Sequence, residues 1–211
     1  MVNLQAMFIT FEGLDYSGKS TQAKLLHEYL KRKKIKSILL REPGGTKISE
    51  KIRDILLDRE HLEMTPLTEF MLFSASRSQL VSQVIKPHLK KGYIVICDRY
   101  YDSSTAYQAY GGSLELASVL RVNNVATDDL KPDLTFLIDI SPKKAFSRSG
   151  KRGDIIDRME AKNLAFYNRV YKGFKDIANM NKKRFVVIKG TLTIEHVQKK
   201  ILQMVNRKLK I

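Results

Sequence analysis

Phe8-Ile9-Thr10-Phe11-Glu12 is an apolar, β-prone run that stops at Gly13, and Gly13 to Ser20 then fits G-x-x-x-x-G-K-[ST]. Helical spacing follows at once, so the pattern has the strand-loop-helix context that a phosphate-cradling loop needs. Glycine lets successive backbone N–H groups turn toward one centre, and the following helix adds the positive end of its dipole there. Lys19 brings a mobile ammonium for β- and γ-phosphate oxygens, and the Ser20 hydroxyl can hold Mg²⁺. A nucleoside triphosphate is the expected ligand of Gly13, Leu14, Asp15, Tyr16, Ser17, Gly18, Lys19, Ser20 and Thr21.

A chain of 211 residues, 43% of them apolar, can bury one full core, so a single α/β domain over residues 1–211 is expected. The one cysteine, Cys97, lies inside an apolar run, which excludes a disulfide framework and suits a reducing compartment. Residues 1–6 lack the charged and long apolar segments of a leader, and no apolar run approaches membrane-spanning length; a cytoplasmic protein without a membrane partner is expected. The net charge of +16 admits two readings. It could neutralise nucleic-acid phosphates, with Lys31-Arg32-Lys33-Lys34-Ile35-Lys36 as a candidate patch, or it could be lysines scattered over solvated helix faces. The second is favoured, because no nucleic-acid module accompanies the charge and the Lys31 run falls at a helix end, where cations complement the dipole.

Apolar periodicity alternates strands with helices, which implies a parallel sheet covered on both faces. A helix is expected from Lys19 to about Lys34, a strand over Ser37 to Leu40, and a helix carrying Ile48, Ile52, Ile55 and Leu56. Between the last two, Arg41-Glu42-Pro43-Gly44-Gly45-Thr46 breaks regular structure and leaves a charged pair at the sheet edge. Thr65-Pro66 reads as an N-cap and first helical residue of a helix running toward Pro87. On it Glu69, Phe73 and Arg77 are spaced by four, so a carboxylate, a ring and a guanidinium share one stripe. A flat aromatic face one turn from a fork of donors suits a nucleobase; a phenylalanine such as Phe73, taken alone, is more often a core residue.

The run Tyr93 to Cys97 delivers Asp98-Arg99-Tyr100-Tyr101 to the carboxyl end of a buried strand, the side on which open parallel sheets bind ligands. Asp98 is the favoured Mg²⁺-side carboxylate. Asp139, at the end of the similar run Leu134 to Ile138, reads as a strand-end cap before the next helix. Ser103 to Gln108 offers hydroxyls, a ring and an amide before Gly111-Gly112, and could also be no more than a polar helix start. The arginine-dense, glycine-punctuated segment 148–158 has the composition of a flap over phosphates, or of a solvated surface loop. A helix from about Glu160 to Asn179, a strand over Arg184 to Ile188 and a helix carrying Ile194, Val197, Ile201 and Val205 complete the chain.

Together, the loop Gly13 to Thr21, Arg41 to Thr46, the Phe73 to Arg77 stripe, and Asp98-Arg99-Tyr100 with Ser103-Ser104 and Tyr107-Gln108 resemble the thymidylate kinase family of the bacterial kind, among the P-loop nucleoside monophosphate kinases. The resemblance implies a three-layer P-loop fold with a five-stranded parallel sheet, helices on both faces and a short mobile lid. It implies a homodimer that moves the ATP γ-phosphoryl group to dTMP with Mg²⁺ as cofactor. On this basis Phe73 stacks on thymine, Arg77 reaches a ring carbonyl, and Ser104 and Gln108 read the opposite base edge. Tyr107 lies under the deoxyribose, Arg53 and Arg99 clamp the monophosphate, and Glu42 and Pro43 border the site. Asp15 approaches the sugar 3′-hydroxyl or the phosphate, and Ser20 and Asp98 serve the metal.

One departure stands out. Where some members of the family carry Arg in the loop, and many bacterial ones Gly, this chain has Tyr16, so charge between donor and acceptor must be neutralised from elsewhere. The lid arginines Arg148 and Arg152, with Arg158, are the expected source; Asp15, Lys19 and Arg99 are the other residues expected to take part in the transfer. A deoxynucleoside kinase is the nearest alternative, and an ATP-switched nucleic-acid-binding protein is the alternative of another class.

Overall fold

The computed structural model describes residues 6–149, 158 and 162–211. Five strands, β1 (Met7–Glu12), β2 (Ser37–Arg41), β3 (Ile94–Asp98), β4 (Leu134–Asp139) and β5 (Phe185–Lys189), form one parallel sheet in the order β2-β3-β1-β4-β5. The strands read as near-continuous apolar runs because both faces are covered. On one face Ile9, Phe11, Ile94, Ile96, Leu134 and Phe136 pack with Ala23, Leu26 and Leu30 of α1 (Lys19–Arg32) and with Val197, Ile201 and Val205 of the C-terminal helix Ile194–Leu209. On the other, Phe8, Val95 and Cys97 meet Leu80, Val81 and Ile85, while Leu137 meets Val170, Phe174 and Ile177.

After β2, a loop ends in Thr46, whose hydroxyl accepts from Ser49 N and starts α2 (Lys47–Leu57). Thr65 caps α3 (Pro66–Leu80) in the same way. That helix does not stop at Pro87: a π segment, Val81–Ile85, carries it into α4 (Lys86–Lys90). The wider π turn, in which Lys86 N donates to Val81 O, relieves the clash a proline ring makes with the carbonyl four residues back. After β3 come the short α5 (Tyr101–Ser104), a second π segment, Thr105–Gly111, and α6 (Leu116–Thr127).

Helix α7 (Pro142–Ser149) follows β4. Its cap is Ser141, whose side chain accepts from Lys144 N, rather than Asp139. Asp139 is still within the sheet, and its carboxylate takes Lys175 Nζ at 2.9 Å instead. Arg148 and Ser149 close α7, so the expected lid 148–158 does not begin at Arg148; residues 150–157, with Arg152, lie outside the described residues. Helix α8 (Leu164–Met180) starts later than expected, at the side-chain cap Asn163, and α9 is the C-terminal helix Ile194–Leu209. Among the described residues, no helix is long and apolar enough to cross a membrane.

Candidate active site

The glycine loop joins β1 to α1 through backbone angles that side chains disfavour. Gly13 has φ +136° and a Cβ there would lie 2.7 Å from Ile138 O, so a larger residue cannot make this turn. Gly18 has φ +97° and caps α1, leaving the first N–H groups of the helix directed at the loop. Tyr16 is left-handed as well, at φ 60°, a strained conformation for a side chain of its size. A cavity of about 1110 Å³, open to solvent, is lined by Tyr16 to Gln22, Arg148, Gly190 and Leu192. Ser20 is exposed and Lys19 buried. Arg148 donates to the carbonyls of Tyr16, Ser17 and Gly190, so it ties the loop to the segment after β5.

Sheet register sets Phe11 opposite Asp98, and the next residue, Arg99, turns back at φ 72° toward the loop. Its guanidinium donates to Gly13 O, Ser103 Oγ and, at 2.5 Å, Asp15 Oδ1. Lys19 Nζ reaches the same Asp15 oxygen at 3.2 Å, and Tyr107 Oη donates to Asp15 Oδ2 at 3.1 Å. Burial alone raises the Asp15 carboxyl, but Arg99 and Lys19 beside it hold it well below the usual carboxylate range. Burial likewise pushes the Tyr107 phenol up, more than Arg99 lowers it, so the phenol stays a donor. Beneath this cluster Glu12 accepts from Tyr100 N and Ser103 Oγ; burial, reinforced by Asp102, raises it to about 8.

A second cavity, with an empty volume of about 620 Å³, has Asp15 and Arg99 in its lining. Its lining includes every residue expected to meet a base, sugar or monophosphate: Glu42, Pro43, Arg53, Phe73, Arg77, Arg99, Ser104, Tyr107 and Gln108. Phe73 is half-buried on the cavity wall. Arg77 is 2% exposed and donates to Glu42 Oε2 at 2.7 Å, to Asn123 Oδ1 at 3.2 Å and to Ser104 Oγ at 2.9 Å. Burial raises the Glu42 carboxyl to about 7 even against Arg77, and its other oxygen has no hydrogen-bond partner among the described residues. Arg53 Nη1 donates to Pro43 O at 3.0 Å, which sets that guanidinium at the cavity mouth.

Two expected residues stand apart from both cavities. Arg158 does not reach over the loop: it is 6% exposed and donates to Leu56 O and Glu69 Oε2, on the base side of the second cavity. A buried carboxylate at Glu69 gives its charge a partner that phosphates would have to displace. Asp98 lines neither cavity, and its Oδ1 is buried without a hydrogen-bond partner among the described residues. That orphaned oxygen and the exposed Ser20 hydroxyl are each of the hard-oxygen kind that a hard cation takes, its other ligands being phosphate oxygens and water. Among the described residues, no group of three or more His, Cys, Asp or Glu could hold a metal ion by itself. Leu57, Glu12 and Asn123 also build the site and carry no motif, and Tyr100 and Ser103, within the Asp98 to Gln108 stretch, had no role assigned to them. Only the four-residue spacing from Glu69 through Phe73 to Arg77 gave a sign of Glu69.

Comparison with known proteins points to one family. The family model described as thymidylate kinase matches residues 11–201. The chain is 47% identical over 199 residues to thymidylate kinase of Exiguobacterium sp., covering 94% of this chain and 93% of that protein. It is 45% identical over 207 residues to thymidylate kinase of Prosthecochloris aestuarii, covering 94% and 92%. The crystal structure of thymidylate kinase from Ehrlichia chaffeensis superposes with a TM-score of 0.78 at 36% identity, over 95% of this chain and 98% of that one. A glycine loop lining one cavity, Phe73 and Arg77 lining the other, the Lys19–Asp15 bond between the two linings, and these likenesses over nearly the whole length lead to one assignment: the chain belongs to the thymidylate kinase family.

Proposed function

We propose that the chain transfers the γ-phosphoryl group of ATP to dTMP, giving ADP and dTDP for dTTP synthesis. The observation that carries this reading is the link between the two cavity linings, where Asp15 of the base-side cavity is bonded both to Arg99 beside it and to Lys19 of the loop cavity. A triphosphate over the loop and a monophosphate against Arg53 and Arg99 then face one another across a few ångströms of cationic side chains.

Thymine packs on Phe73 with Arg77, Ser104 and Gln108 at its edges, and the Tyr107 ring lies under the deoxyribose, where it excludes a 2′-hydroxyl. Arg99, now bonded to Asp15, gains the acceptor phosphate as a second anion and holds it in line with the γ-phosphorus. Lys19 follows the transferring group, and Arg148, on the loop carbonyls, fixes the backbone that cradles the β-phosphate. The monophosphate is already an anionic nucleophile at neutral pH, so positioning and charge cancellation supply the acceleration, and no side chain need act as a strong base. Ser20 and Asp98 fit Mg²⁺, which when bound draws charge from the β- and γ-phosphate oxygens. Arg152 remains the lid arginine best suited to reach the reacting phosphates.

A homodimer is supported by apolar side chains left exposed on neighbouring helices: Ile48 and Ile55 on α2, Leu67 and Met71 on α3, Leu116 and Leu120 on α6. A cytoplasmic setting is supported by the buried thiol of Cys97, and the scattered positive charge needs no nucleic-acid partner. A coupled ADP-release assay with Mg²⁺ and ATP tests the reading by offering dTMP, dUMP, dGMP and thymidine in parallel. Turnover fastest with dTMP and absent with thymidine is expected; phosphorylation of thymidine in preference to dTMP overturns it.

A further inference from the structure

Behind Gln108 of the base-side wall runs a buried chain of three charged or polar side chains. Gln108, 4% exposed, donates from Nε2 to Glu69 Oε1 at 3.0 Å. Glu69, 8% exposed, gives its other oxygen to Arg158 Nη1 at 2.7 Å, and Arg158 Nε is tied to Leu56 O at 3.0 Å. A carboxylate with an arginine on one oxygen has only acceptors to offer. The amide of Gln108 therefore turns its NH₂ to Glu69; the flipped amide would set two oxygens in contact in a buried site. What Gln108 has left for the cavity is its carbonyl oxygen, an acceptor.

We propose that Glu69, clamped by Arg158, is a specificity-determining positioning residue that locks Gln108 as a hydrogen-bond acceptor and so selects a base with a ring N–H. This rests on the proposed dTMP reading. Thymine and uracil carry an imide N3–H that the oxygen can take. Cytosine presents a bare N3, an acceptor facing an acceptor, and a 4-amino group toward the Arg77 donors. Rejection of a base that leaves buried polar groups unpaired can be large, because nothing repays their desolvation. Arg158 thereby serves base recognition rather than the phosphates.

The test uses 5-methyl-dCMP, which keeps the methyl group and differs from dTMP only at the polar base edge. Turnover of dTMP by the unmodified enzyme tests the underlying function by itself. Given that turnover, the ratio of the inhibition constant of 5-methyl-dCMP to the KM of dTMP is measured for Glu69→Gln, Gln108→Glu and the double variant. Glu69→Gln frees the amide to flip and is expected to narrow the ratio roughly ten-fold, the worth of one hydrogen bond. Gln108→Glu sets two carboxylates together and lowers kcat/KM for dTMP. In the double variant the amide introduced at position 69 donates to the carboxylate introduced at position 108, an acceptor faces the cavity again, and kcat/KM for dTMP recovers by about ten-fold over Gln108→Glu. A ratio unchanged in Glu69→Gln, or a loss that falls equally on both nucleotides, overturns the proposal. Should Glu69→Gln fail to fold, absence of recovery in the double variant overturns it.

Discussion

Arg77 lies on the wall of the base-side cavity, yet most of its donors are spent on the protein itself, and its charge is balanced by a single buried carboxylate. Removing one member of such a pair leaves the other stranded. Arg77→Leu is accordingly expected to lower unfolding stability by about 3–5 kcal/mol, read from urea midpoints, and to cut kcat/KM for dTMP as well. The partner titrates. Burial raises Glu42 from 4.5 to about 7, so between those values the folded chain binds a proton that the unfolded chain has lost. The stability this group contributes is complete below about 4.5 and is lost as pH rises through about 7. Glu42→Gln should flatten that part of the stability-against-pH curve; an unchanged slope would mean that Glu42 stays ionised throughout. At this scale the sequence revealed the residues with fixed spacing, Gly13, Lys19, Phe73 and Arg77. It did not reveal Asn123, which meets Arg77 from a position 46 residues away, nor Glu12, which reads as one polar residue at a strand end.

The elements that bear the acceptor side are less regular than the loop-helix unit. Tyr107 and Gln108 ride on the π segment Thr105–Gly111, which packs against α8, and Gly173 of α8 faces Tyr110 so closely that a Cβ would lie 2.6 Å from its ring. Gly173→Ala gains about 1 kcal/mol in helix propensity but must push the segment away, at about 1–3 kcal/mol of overpacking. We expect a net loss of stability and a raised KM for dTMP with kcat little changed; an unaltered KM would show that the segment does not set the pocket. Strands and long helices were legible because their apolar periods follow from burial on two faces or one. The π segment was not, since a polar run such as Ser103 to Gln108 carries no period, and Arg158 was assigned to phosphates because composition cannot say which anion an arginine meets.

Across the whole molecule, the parallel sheet with its glycine loop carries both ligand cavities at the carboxyl ends of its strands, and α2, α3 and α6 keep an apolar face exposed. If that face joins two copies, sedimentation will give twice the chain mass, and Met71→Glu on α3 will return it to one. Retention of the dimer in that variant would move the interface elsewhere. The architecture followed from one motif and the alternation of strands and helices, whereas the meeting of Asp15 and Arg99 depends on register: Phe11 paired with Asp98 sets Arg99 across from the loop. A crystal structure with dTMP and a non-hydrolysable ATP analogue tests most directly whether the two ligands meet there. The account predicts thymine on Phe73, the acceptor phosphate against Arg99, and its nearest oxygen about 3–3.5 Å from the γ-phosphorus held by Lys19. A dTMP phosphate bound away from Arg99, or separated from the γ-phosphorus by a layer of protein, would contradict it.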